Sequence, residues 1–309
     1  MSELASEKSS RASYSFLINP HSGGGAAPAA VVPVARILRD AGADVEVTYS
    51  PGPKQCADLV AGAVGRGDVV VAVGGDGMLS SVAGQVAQLD GTLGLVPAGR
   101  GNDFVRMLGL PSDAESVADV LLNGKPTPID LISVGHPGAE PRIVAGSAYA
   151  GLDARASEIV DKVRWMPSKL QYPYAALHAM ATYRPSRFRV VIDGAEHWYD
   201  AATVCVANSA YYGKGMKIAP EASVTDGLLD IVVIEAASRR KLIKAMPKVY
   251  DGKHVELDQV HVLRGARVEL TADPPVPMGG DGEPIGTLPA LGEEPVVIEV
   301  MSGALSLIL

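Results

Sequence analysis

The sequence predicts an α/β protein of two domains: a doubly wound α/β layer, followed by a mainly antiparallel β-sandwich with a helical insertion. Three observations support this prediction. Strands, glycine turns and helices alternate through residues 1–128, strand-like runs joined by short turns dominate residues 129–299, and 309 residues exceed the size at which a single core usually stops growing. We place the domain boundary near residue 128 and expect residues 300–309 to return to the first domain.

The first domain alternates between buried strands and helices. The run at residues 68–73 (Asp-Val-Val-Val-Ala-Val) is continuous and rich in β-branched residues, which is typical of a strand buried on both faces of a parallel sheet. Turns rich in glycine separate the strands from the helical patterns. The predicted strands are 14–19, 44–49, 68–73 and 92–96, and the predicted helices are 29–41, 54–64 and about 78–87.

The second domain has a different pattern. Its strands are separated by short turns such as Asp193-Gly194 and Asp226-Gly227, which favour hairpins and therefore antiparallel pairing. A helical pattern at residues 154–183 interrupts them. The predicted strands are 129–134, 142–148, 187–192, 203–206, 228–234, 260–270 and 295–300.

The composition excludes several classes of protein. Lys and Arg total 27 against 35 Asp and Glu, and the net charge of −8 argues against a dedicated nucleic-acid binder, which normally has a basic surface. Cys56 and Cys205 cannot form a disulfide framework, and no apolar run suits a secretion signal or a membrane span. The six histidines show no zinc-binding spacing, and no hydrolase Gly-x-Ser-x-Gly motif occurs. We therefore expect a cytoplasmic protein.

Three glycine-rich turns each follow a predicted strand and precede a predicted helix. They are Asn19-Pro20-His21-Ser22-Gly23-Gly24-Gly25, Gly74-Gly75-Asp76-Gly77 and Pro97-Ala98-Gly99-Arg100-Gly101-Asn102-Asp103-Phe104. Each alone fits a plain turn or a helix cap equally well. Together, at the carboxyl ends of parallel strands, they predict a phosphate pocket of backbone amides, with Asp76 placed to orient Mg²⁺. The candidate cofactor-binding residues are Asn19, Ser22, Gly23, Gly74, Gly75, Asp76, Gly77, Gly99, Arg100, Asn102 and Asp103.

Six motifs in this order resemble the bacterial diacylglycerol kinase and lipid kinase family, which is related to sphingosine and ceramide kinases. Besides the three turns, they are Asn208-Ser209-x-Tyr211-Tyr212-Gly213-x-Gly215-Met216-x-Ile218-Ala219-Pro220-x-Ala222, Asp226-Gly227-Leu228-Leu229-Asp230 and Asp281-Gly282-Glu283. The resemblance covers nearly the whole chain from Phe16 onward. Two positions depart from the family pattern: Met78 stands where Thr or Ser is usual, and Arg100 stands where Thr is usual.

The resemblance implies a first domain that binds ATP and Mg²⁺, a second domain that binds lipid, and an active site in the cleft between them. It assigns Asp281 as the general base for the substrate hydroxyl, with Glu283 beside it and Asp76 as the catalytic residue on the nucleotide side. Without the resemblance, a hairpin turn is the favoured interpretation of Asp281-Gly282.

The resemblance further implies a structural Mg²⁺ site in the loop around Asp226. Asp226 and the neighbouring Leu228 would hold the ion, and Asp130 matches another acidic member of the same network. The alternative is that Asp226-Gly227 is simply a type I′ turn between two strands.

The predicted function is therefore transfer of the γ-phosphoryl group of ATP to the hydroxyl of diacylglycerol, which gives phosphatidic acid. Within the same reaction, the acceptor could be a sphingoid or another lipid alcohol, and a soluble acceptor is an alternative because NAD kinases and phosphofructokinases share the Gly-Gly-Asp-Gly turn. A different class would be a catalytically silent module that binds lipid or nucleotide. The likeness also suggests a homodimer.

Two basic islands stand out in this acidic chain. Residues 160–190 contain six cations and one acid, and residues 239–248 contain five cations. We expect the 160–190 island to face anionic lipid, with the protein bound peripherally to the inner face of the membrane. The alternative is an ordinary solvated helix face.

Overall fold

The structure, a computed structural model, describes residues 12–20, 22, 25, 27–50, 53–99, 101–163, 165–166 and 168–309. The α-helices of this part are α1 (Ala27–Asp40), α2 (Pro53–Gly65), α3 (Asp76–Gln88), α4 (Asp103–Met107), α5 (Ala114–Asn123), α6 (Leu152–Lys162), α7 (Ser168–Thr182) and α8 (Arg239–Tyr250). The strands are β1 (Ser13–Ile18), β2 (Asp44–Tyr49), β3 (Val69–Gly74), β4 (Thr92–Pro97), β5 (Pro126–Gly135), β6 (Arg142–Val144), β7 (Ser147–Gly151), β8 (Ser186–Ile192), β9 (Ala195–Ala207), β10 (Leu229–Glu235), β11 (Val260–Gly265), β12 (Arg267–Asp273), β13 (Pro277–Gly280), β14 (Glu283–Thr287) and β15 (Val296–Ile308).

The described chain divides into two compact units. The first contains the described residues of Met1–Arg100 together with Leu110–Thr127 and Leu305–Leu309, and the second contains Gly101–Gly109 and Pro128–Ala304. Residues 101–109, which the sequence assigned to the first domain, group with the second unit. The reason is that the Asp103 carboxylate accepts hydrogen bonds from the backbone amides of Lys214 and Gly215.

The first unit is built on a parallel sheet in the strand order β15-β4-β3-β1-β2. Helices α1 and α5 pack on the face that carries Phe16 and Val71, and α2 and α3 pack on each other and against β3. The middle residues of β3 are buried because helices cover a doubly wound sheet on both faces. The predicted doubly wound layer is confirmed.

The second unit is a mainly antiparallel structure organised around the long strand β9. The first half of β9 pairs with β8, and its last residues pair with β7 on one side and β10 on the other. β12 joins β8 to residues 296–299 of β15, and β13 joins β7 to β14. One apolar cluster with members from β5, β7–β10, β12, β13 and β15 forms the core. The predicted β-sandwich is confirmed.

Two predicted strands of the second unit are each split in two. The run 142–148 becomes β6 and β7, because the amides of residues 145 and 146 donate to Asp281 instead of to a neighbouring strand. The run 260–270 becomes β11 and β12, because the chain changes partner at Ala266, whose amide donates to Asp193.

The predicted helical insertion is likewise two helices, α6 and α7, which pack through Ile159, Val163, Ala175 and Ala179. Helix α8 is an element that the sequence reading missed. Its charged residues and internal Pro247 obscured an apolar stripe at Leu242, Ala245, Met246 and Val249. None of the helices described is both long and apolar enough to cross a bilayer.

Candidate active site

In the first unit, the predicted phosphate turns begin at the ends of three neighbouring parallel strands, β1, β3 and β4. The backbone amide of Asn19 donates to the carbonyl of Val73 over 3.2 Å, and that of Ala98 donates to the carbonyl of Gly74 over 2.9 Å. These bonds tie the first and third turns to the end of β3. The turns therefore lie side by side at one edge of the sheet, where the amides can converge on an anion.

Gly74 and Gly75 lie where side chains would collide. A Cβ atom on Gly74 would be 3.0 Å from Oγ of Ser22 and 2.9 Å from Cβ of Met78, and one on Gly75 would be 3.1 Å from Cα of Gly99. Ser22 and Gly99 therefore approach the second turn closely, and Met78 fills the position where the family pattern has a hydroxyl. Gly23 and Arg100 lie outside the described residues.

Helix α3 begins inside the second turn. Gly75 is its N-cap, with extended backbone (φ −102°, ψ −175°), and Asp76 and Gly77 are its first two residues. Because a glycine cap has no side chain, it cannot satisfy the amides of the first helical turn as a serine or aspartate cap would. A carboxylate at the first position is favourable beside these amides, and Asp76 lies at the same edge of the sheet as the three turns.

The last four residues of the third motif, 101–104, belong to the second unit. The Asp103 side chain is buried, and its two oxygens accept from the backbone amides of Lys214 (2.7 Å) and Gly215 (2.6 Å). Asn102 precedes it in the left-handed region (φ 51°) as the N-cap of α4. Asp103 thus holds the turn at residues 213–215, which is a structural role that the sequence motif did not reveal.

Asp281 lies at the tip of the hairpin between β13 and β14. Gly280 is in register with Glu283, so the loop has two residues, and both have positive φ (44° at Asp281 and 87° at Gly282). These values define a type I′ turn. The hairpin interpretation is therefore correct, and the turn points the Asp281 carboxylate at a partner far away in sequence. Glu283 begins β14 with an exposed side chain.

The Asp281 carboxylate rests in a cradle of three backbone amides, from Ala145, Gly146 and Ser147. Oδ2 accepts from Ala145 (2.9 Å), Oδ1 accepts from Ser147 (2.9 Å), and the amide of Gly146 lies 3.0–3.1 Å from both oxygens. A Cβ atom on Gly146 would be 2.7 Å from Oδ1, so this position needs glycine. The cradle fixes the carboxylate in one orientation.

Asn208, whose role the sequence reading missed, supports the cradle from behind. Its fully buried amide group donates to the carbonyl of Ala145 (2.9 Å) and to that of Asp130 (2.8 Å). The backbone amides of Asn208 and Ser209 both donate to the carbonyl of Gly146 (2.9 Å). Asn208 is the first residue of the fourth motif, and that motif was the signal in the sequence that could have indicated its importance.

Asp130 is buried in the second unit and fastened by backbone amides. One carboxylate oxygen accepts from Gly227 (2.8 Å) and the other from Gly303 (2.7 Å). The structure thus brings Asp130 to the loop that contains Asp226 and Leu228, as an anchor of that loop.

The carboxylates of this loop have protein partners in this structure. The Asp226 carboxylate accepts from the amide of Leu228 (3.1 Å) and pairs with the Arg264 guanidinium, which also lies 3.5 Å from Asp230. Burial raises the pKa of Asp230, and Arg264 opposes that shift. Arg264 therefore supplies the positive charge between the two carboxylates. The described residues contain no group of three carboxylate, His or Cys side chains suited to a metal ion, so the metal role of Asp226, Leu228 and Asp130 stays a prediction.

An apolar pocket, partly open to solvent, lies in the second unit among α6, α7, α8, β9 and β10. Its one deep carboxyl group is that of Asp153, near the start of α6. Oδ2 of Asp153 lies 2.9 Å from the hydroxyls of both Thr203 and Tyr212. Burial raises the pKa of Asp153, although these hydrogen bonds act in the opposite direction. The main apolar lining residues are Leu152, Met180, Met216, Ile234, Leu242 and Met246.

The pocket lies near the Asp281 turn within the second unit. Tyr212, in the pocket wall, meets the Tyr149 ring edge-on, with 5.7 Å between the centroids. Tyr149 packs beneath Gly279, two residues before Asp281. Burial raises the pKa of Tyr149, and the charges of Asp281 and Asp153 raise it further. Tyr149 and Tyr212 therefore lie between the pocket and the cradle.

Glycine-rich turns at one edge of a doubly wound sheet and a fixed carboxylate on a β-sandwich are the parts expected of a kinase, and comparison with known proteins supports this class. A family model described as the diacylglycerol kinase catalytic domain matches residues 13–134. A second, described as the YegS C-terminal NAD kinase beta sandwich-like domain, matches residues 146–309.

Individual proteins show the same likeness. A diacylglycerol kinase from Mycobacterium tuberculosis (strain CDC 1551 / Oshkosh) is 34% identical over 92% of this chain and 93% of its own. One from Bacillus subtilis (strain 168) is 28% identical over 72% of this chain and 73% of its own. A solved structure of a diacylglycerol kinase from Bacillus anthracis str. Sterne has 18% identity and a TM-score of 0.72, and the alignment covers 96% of each chain.

This chain belongs to the diacylglycerol kinase and YegS-like lipid kinase family. It is accordingly a lipid kinase, a phosphotransferase for which the family implies ATP as the phosphoryl donor and a lipid as the acceptor. The resemblance drawn from the six motifs is confirmed.

Proposed function

We propose that the chain transfers the γ-phosphoryl group of ATP, bound as its magnesium complex, to the free hydroxyl of a diacylglycerol and so makes a phosphatidic acid. The observation that supports this most directly is the Asp281 cradle. A carboxylate held by three amides has one fixed direction in which to accept a hydroxyl proton. The relatives from M. tuberculosis and B. subtilis bear the name diacylglycerol kinase.

On the donor side, we assign the phosphates of ATP to the glycine turns of the first unit. Backbone amides of the turns and the N-terminus of α3 attract the anion, while the bare glycines admit it. Asp76 orients the magnesium ion that arrives with ATP. The residues that we propose to bind the phosphates are Asn19, Ser22, Gly74, Gly75, Gly77 and Gly99. Nucleotide contacts from Gly23, Arg100 and Asn102 stay predictions.

On the acceptor side, we assign the proton to Asp281. The lipid hydroxyl oxygen bonds to the γ-phosphorus as the bond from that phosphorus to the β–γ bridging oxygen breaks, and ADP departs. The hydroxyl proton passes to the Asp281 carboxylate. Because the transition state of phosphoryl transfer is loose, a correctly oriented base contributes more than a strong one. A catalytic role for Glu283 beside this group stays a prediction.

The apolar pocket favours a neutral lipid as the acceptor. Its lining suits an acyl chain, and the Asp153 carboxyl has its pKa raised by burial, which disfavours the anion. Glu235, the other carboxylate of the described lining, already bonds to His261, so an ammonium group such as that of a sphingoid base would have to compete for its counter-charge. A neutral ester lipid needs no counter-charge in the pocket.

The test is a transfer assay with purified protein, labelled ATP, Mg²⁺ and a panel of lipids in mixed micelles. We expect label in phosphatidic acid when diacylglycerol is present and at least tenfold less with a sphingoid base. Faster labelling of the sphingoid base would replace the proposed acceptor, and no labelled lipid at all would contradict the catalytic proposal.

Asp76→Ala is expected to lower kcat/KM for Mg·ATP by about 10²-fold, because the metal–phosphate complex loses a group that orients it. Steady-state kinetics at varied Mg·ATP would measure the loss. Glu115→Ala is the matched control, since Glu115 is also an acidic residue in the first turn of a helix of the same unit. A similar loss in both variants would mean that the helix termini, and not a contact with the nucleotide complex, explain the effect.

We further propose that helices α7 and α8 of the second unit contact the membrane from the cytoplasmic side. The side chains of Trp165 and Leu177 are 82% and 63% exposed, which is unusual for large apolar groups. The basic residues of α8 (Arg239, Arg240, Lys241, Lys244 and Lys248) are exposed as well. Within the 160–190 island, Arg187 stacks on Trp198 and Arg189 pairs with Glu196, while Arg164 lies outside the described residues. Among the described residues, Arg184 of the island and the five basic residues of α8 have no ion-pair partner, so their charge is available to an anionic surface.

Vesicle sedimentation tests the membrane proposal. We expect the protein to bind vesicles that contain an anionic phospholipid at low salt and to be released at high salt, because the attraction is largely electrostatic. Binding that does not change with salt, or no binding, would contradict it.

A further inference from the structure

Three arginines of the second unit line one open basin beside the apolar pocket. Arg155 comes from α6, Arg184 follows α7, and Arg239 begins α8. The arginine basin is formed by these residues with Ala181, Thr182 and Tyr183 and is open to solvent. No acidic residue of the described part of the chain lines it. Three separate helical segments therefore contribute positive charge to one concave surface.

The three guanidinium groups lack acidic partners within the described chain. No carboxylate of the described residues lies within 4.0 Å of any of them. Other exposed arginines of the same unit are paired: Arg264 with Asp226 and Arg267 with Glu299. Like charges that share a basin repel one another unless an anion joins them, and guanidinium groups bind phosphate oxygens in a bidentate manner.

Tyr183 forms part of the wall of the basin. Its side chain is only 9% exposed, and its hydroxyl is buried and donates to no acceptor in the described part of the chain. Burial also raises the pKa of this hydroxyl, which keeps its proton in place. Tyr183 therefore contributes to the wall of the basin, and the three arginines contribute its charge.

The arginine basin and the apolar pocket are neighbours. Residues of the two alternate along the same helices: Asp153 lines the pocket and Arg155 the basin, and Lys241 lines the pocket and Arg239 the basin. Met180 of the pocket is followed directly by Ala181 of the basin. A cationic basin next to an apolar pocket is the arrangement that an anionic amphiphile requires.

We propose that the arginine basin binds the phosphate group of an anionic phospholipid, at a site separate from those of ATP and of the acceptor hydroxyl. The proposal rests on the lipid kinase function only in taking the phosphate to be that of a lipid. Phosphatidic acid, the proposed product, belongs to this class. The basin would then hold the protein at anionic regions of a bilayer by specific phosphate contacts in addition to diffuse attraction.

The experiment compares two triple variants of the full chain for binding to vesicles of phosphatidylcholine with phosphatidic acid. R155Q/R184Q/R239Q removes the charge of the basin. R240Q/K244Q/K248Q removes the same charge from exposed positions of α8 that line neither cavity. Binding is measured with added inorganic phosphate or with chloride at equal ionic strength. Thermal unfolding checks each protein, and the single variants R155Q, R184Q and R239Q replace the triple if it does not fold.

For the wild type, we expect inorganic phosphate to release the protein from vesicles at concentrations at which chloride does not. The basin variant should bind about 100-fold more weakly, or about fivefold more weakly for each single arginine, and should lose the preference for phosphate over chloride. The α8 variant should bind somewhat more weakly and keep that preference. Equal losses in both triple variants would show diffuse attraction and overturn the proposal.

Two further measurements are made. The first identifies the source of the phosphate, and the second distinguishes failure of the basin proposal from failure of the proposed function. Titration with inorganic phosphate alone should require at least tenfold more phosphate for half-saturation than phosphatidic acid vesicles do. Equal or tighter binding of inorganic phosphate would assign the basin to a soluble anion and overturn the proposal that its ligand is a lipid. Transfer to diacylglycerol in uncharged micelles is measured on the same samples, so that a protein without kinase activity can still confirm or refute the basin.

Discussion

Asp281→Asn is expected to lower kcat for lipid phosphorylation by about 10³-fold while ATP binding changes less than twofold. Asparagine retains the shape of the side chain but has one acceptor oxygen, and its amide nitrogen would face backbone amides that are themselves donors. It also cannot take the hydroxyl proton. Single-turnover transfer with labelled ATP measures the chemical step, and nucleotide binding is measured separately by equilibrium titration.

A second Asp-Gly hairpin turn in the same unit supplies the matched control. Asp193 and Gly194 have φ values of 49° and 87°, close to those of the Asp281 turn, and the Asp193 carboxylate accepts from the backbone amides of Ala266 and Arg267. Asp193→Asn should therefore disturb a turn to a similar degree while kcat stays within about twofold. Full activity of Asp281→Asn would remove this residue from the mechanism, and equal losses in both variants would trace the effect to the turn.

The first unit was the more predictable part of the molecule, because its signals are local. A buried strand, a glycine turn and a helix are each written in adjacent residues, and the carboxyl ends of parallel strands must meet at one edge. The close approach of Ser22 to Gly74 and of Gly75 to Gly99 follows from that topology.

The cradle of Asp281 could not be predicted, since its amides are 134–136 residues away in the sequence. The sequence indicates a tight turn at Asp281-Gly282, but a turn does not specify what its side chain contacts. The same holds for Asp103, whose carboxylate accepts from amides 111 and 112 residues further along. Residue type and spacing identified these carboxylates, and only the fold identifies their partners.

Asp130→Ala is expected to lower the free energy of unfolding by about 3 kcal/mol. The buried Asp130 carboxylate accepts from the amides of Gly227 and Gly303, and its removal leaves these two part-buried donors without that acceptor and opens a cavity where the side chain was. Denaturant unfolding measures the loss. Asp193→Ala is the control, because it also removes a carboxylate that accepts two backbone amides, but at an exposed turn where water replaces it. The free energy of unfolding should therefore fall much less in the control than in Asp130→Ala.

The same variant separates an amide anchor from a metal ligand at this position. The stability deficit of Asp130→Ala is the difference between its free energy of unfolding and that of the wild type. If the two amides account for the role of Asp130, this deficit should be the same in excess Mg²⁺ and in a chelator. If a bound Mg²⁺ contributes, it stabilises the wild type in proportion to its occupancy, so a chelator should lower the stability of the wild type and shrink the deficit. We expect an unchanged deficit, because the described carboxylates of this loop already have Arg264 and backbone amides as partners. A deficit that disappears in chelator would instead establish the magnesium site that the motif around Asp226 implies.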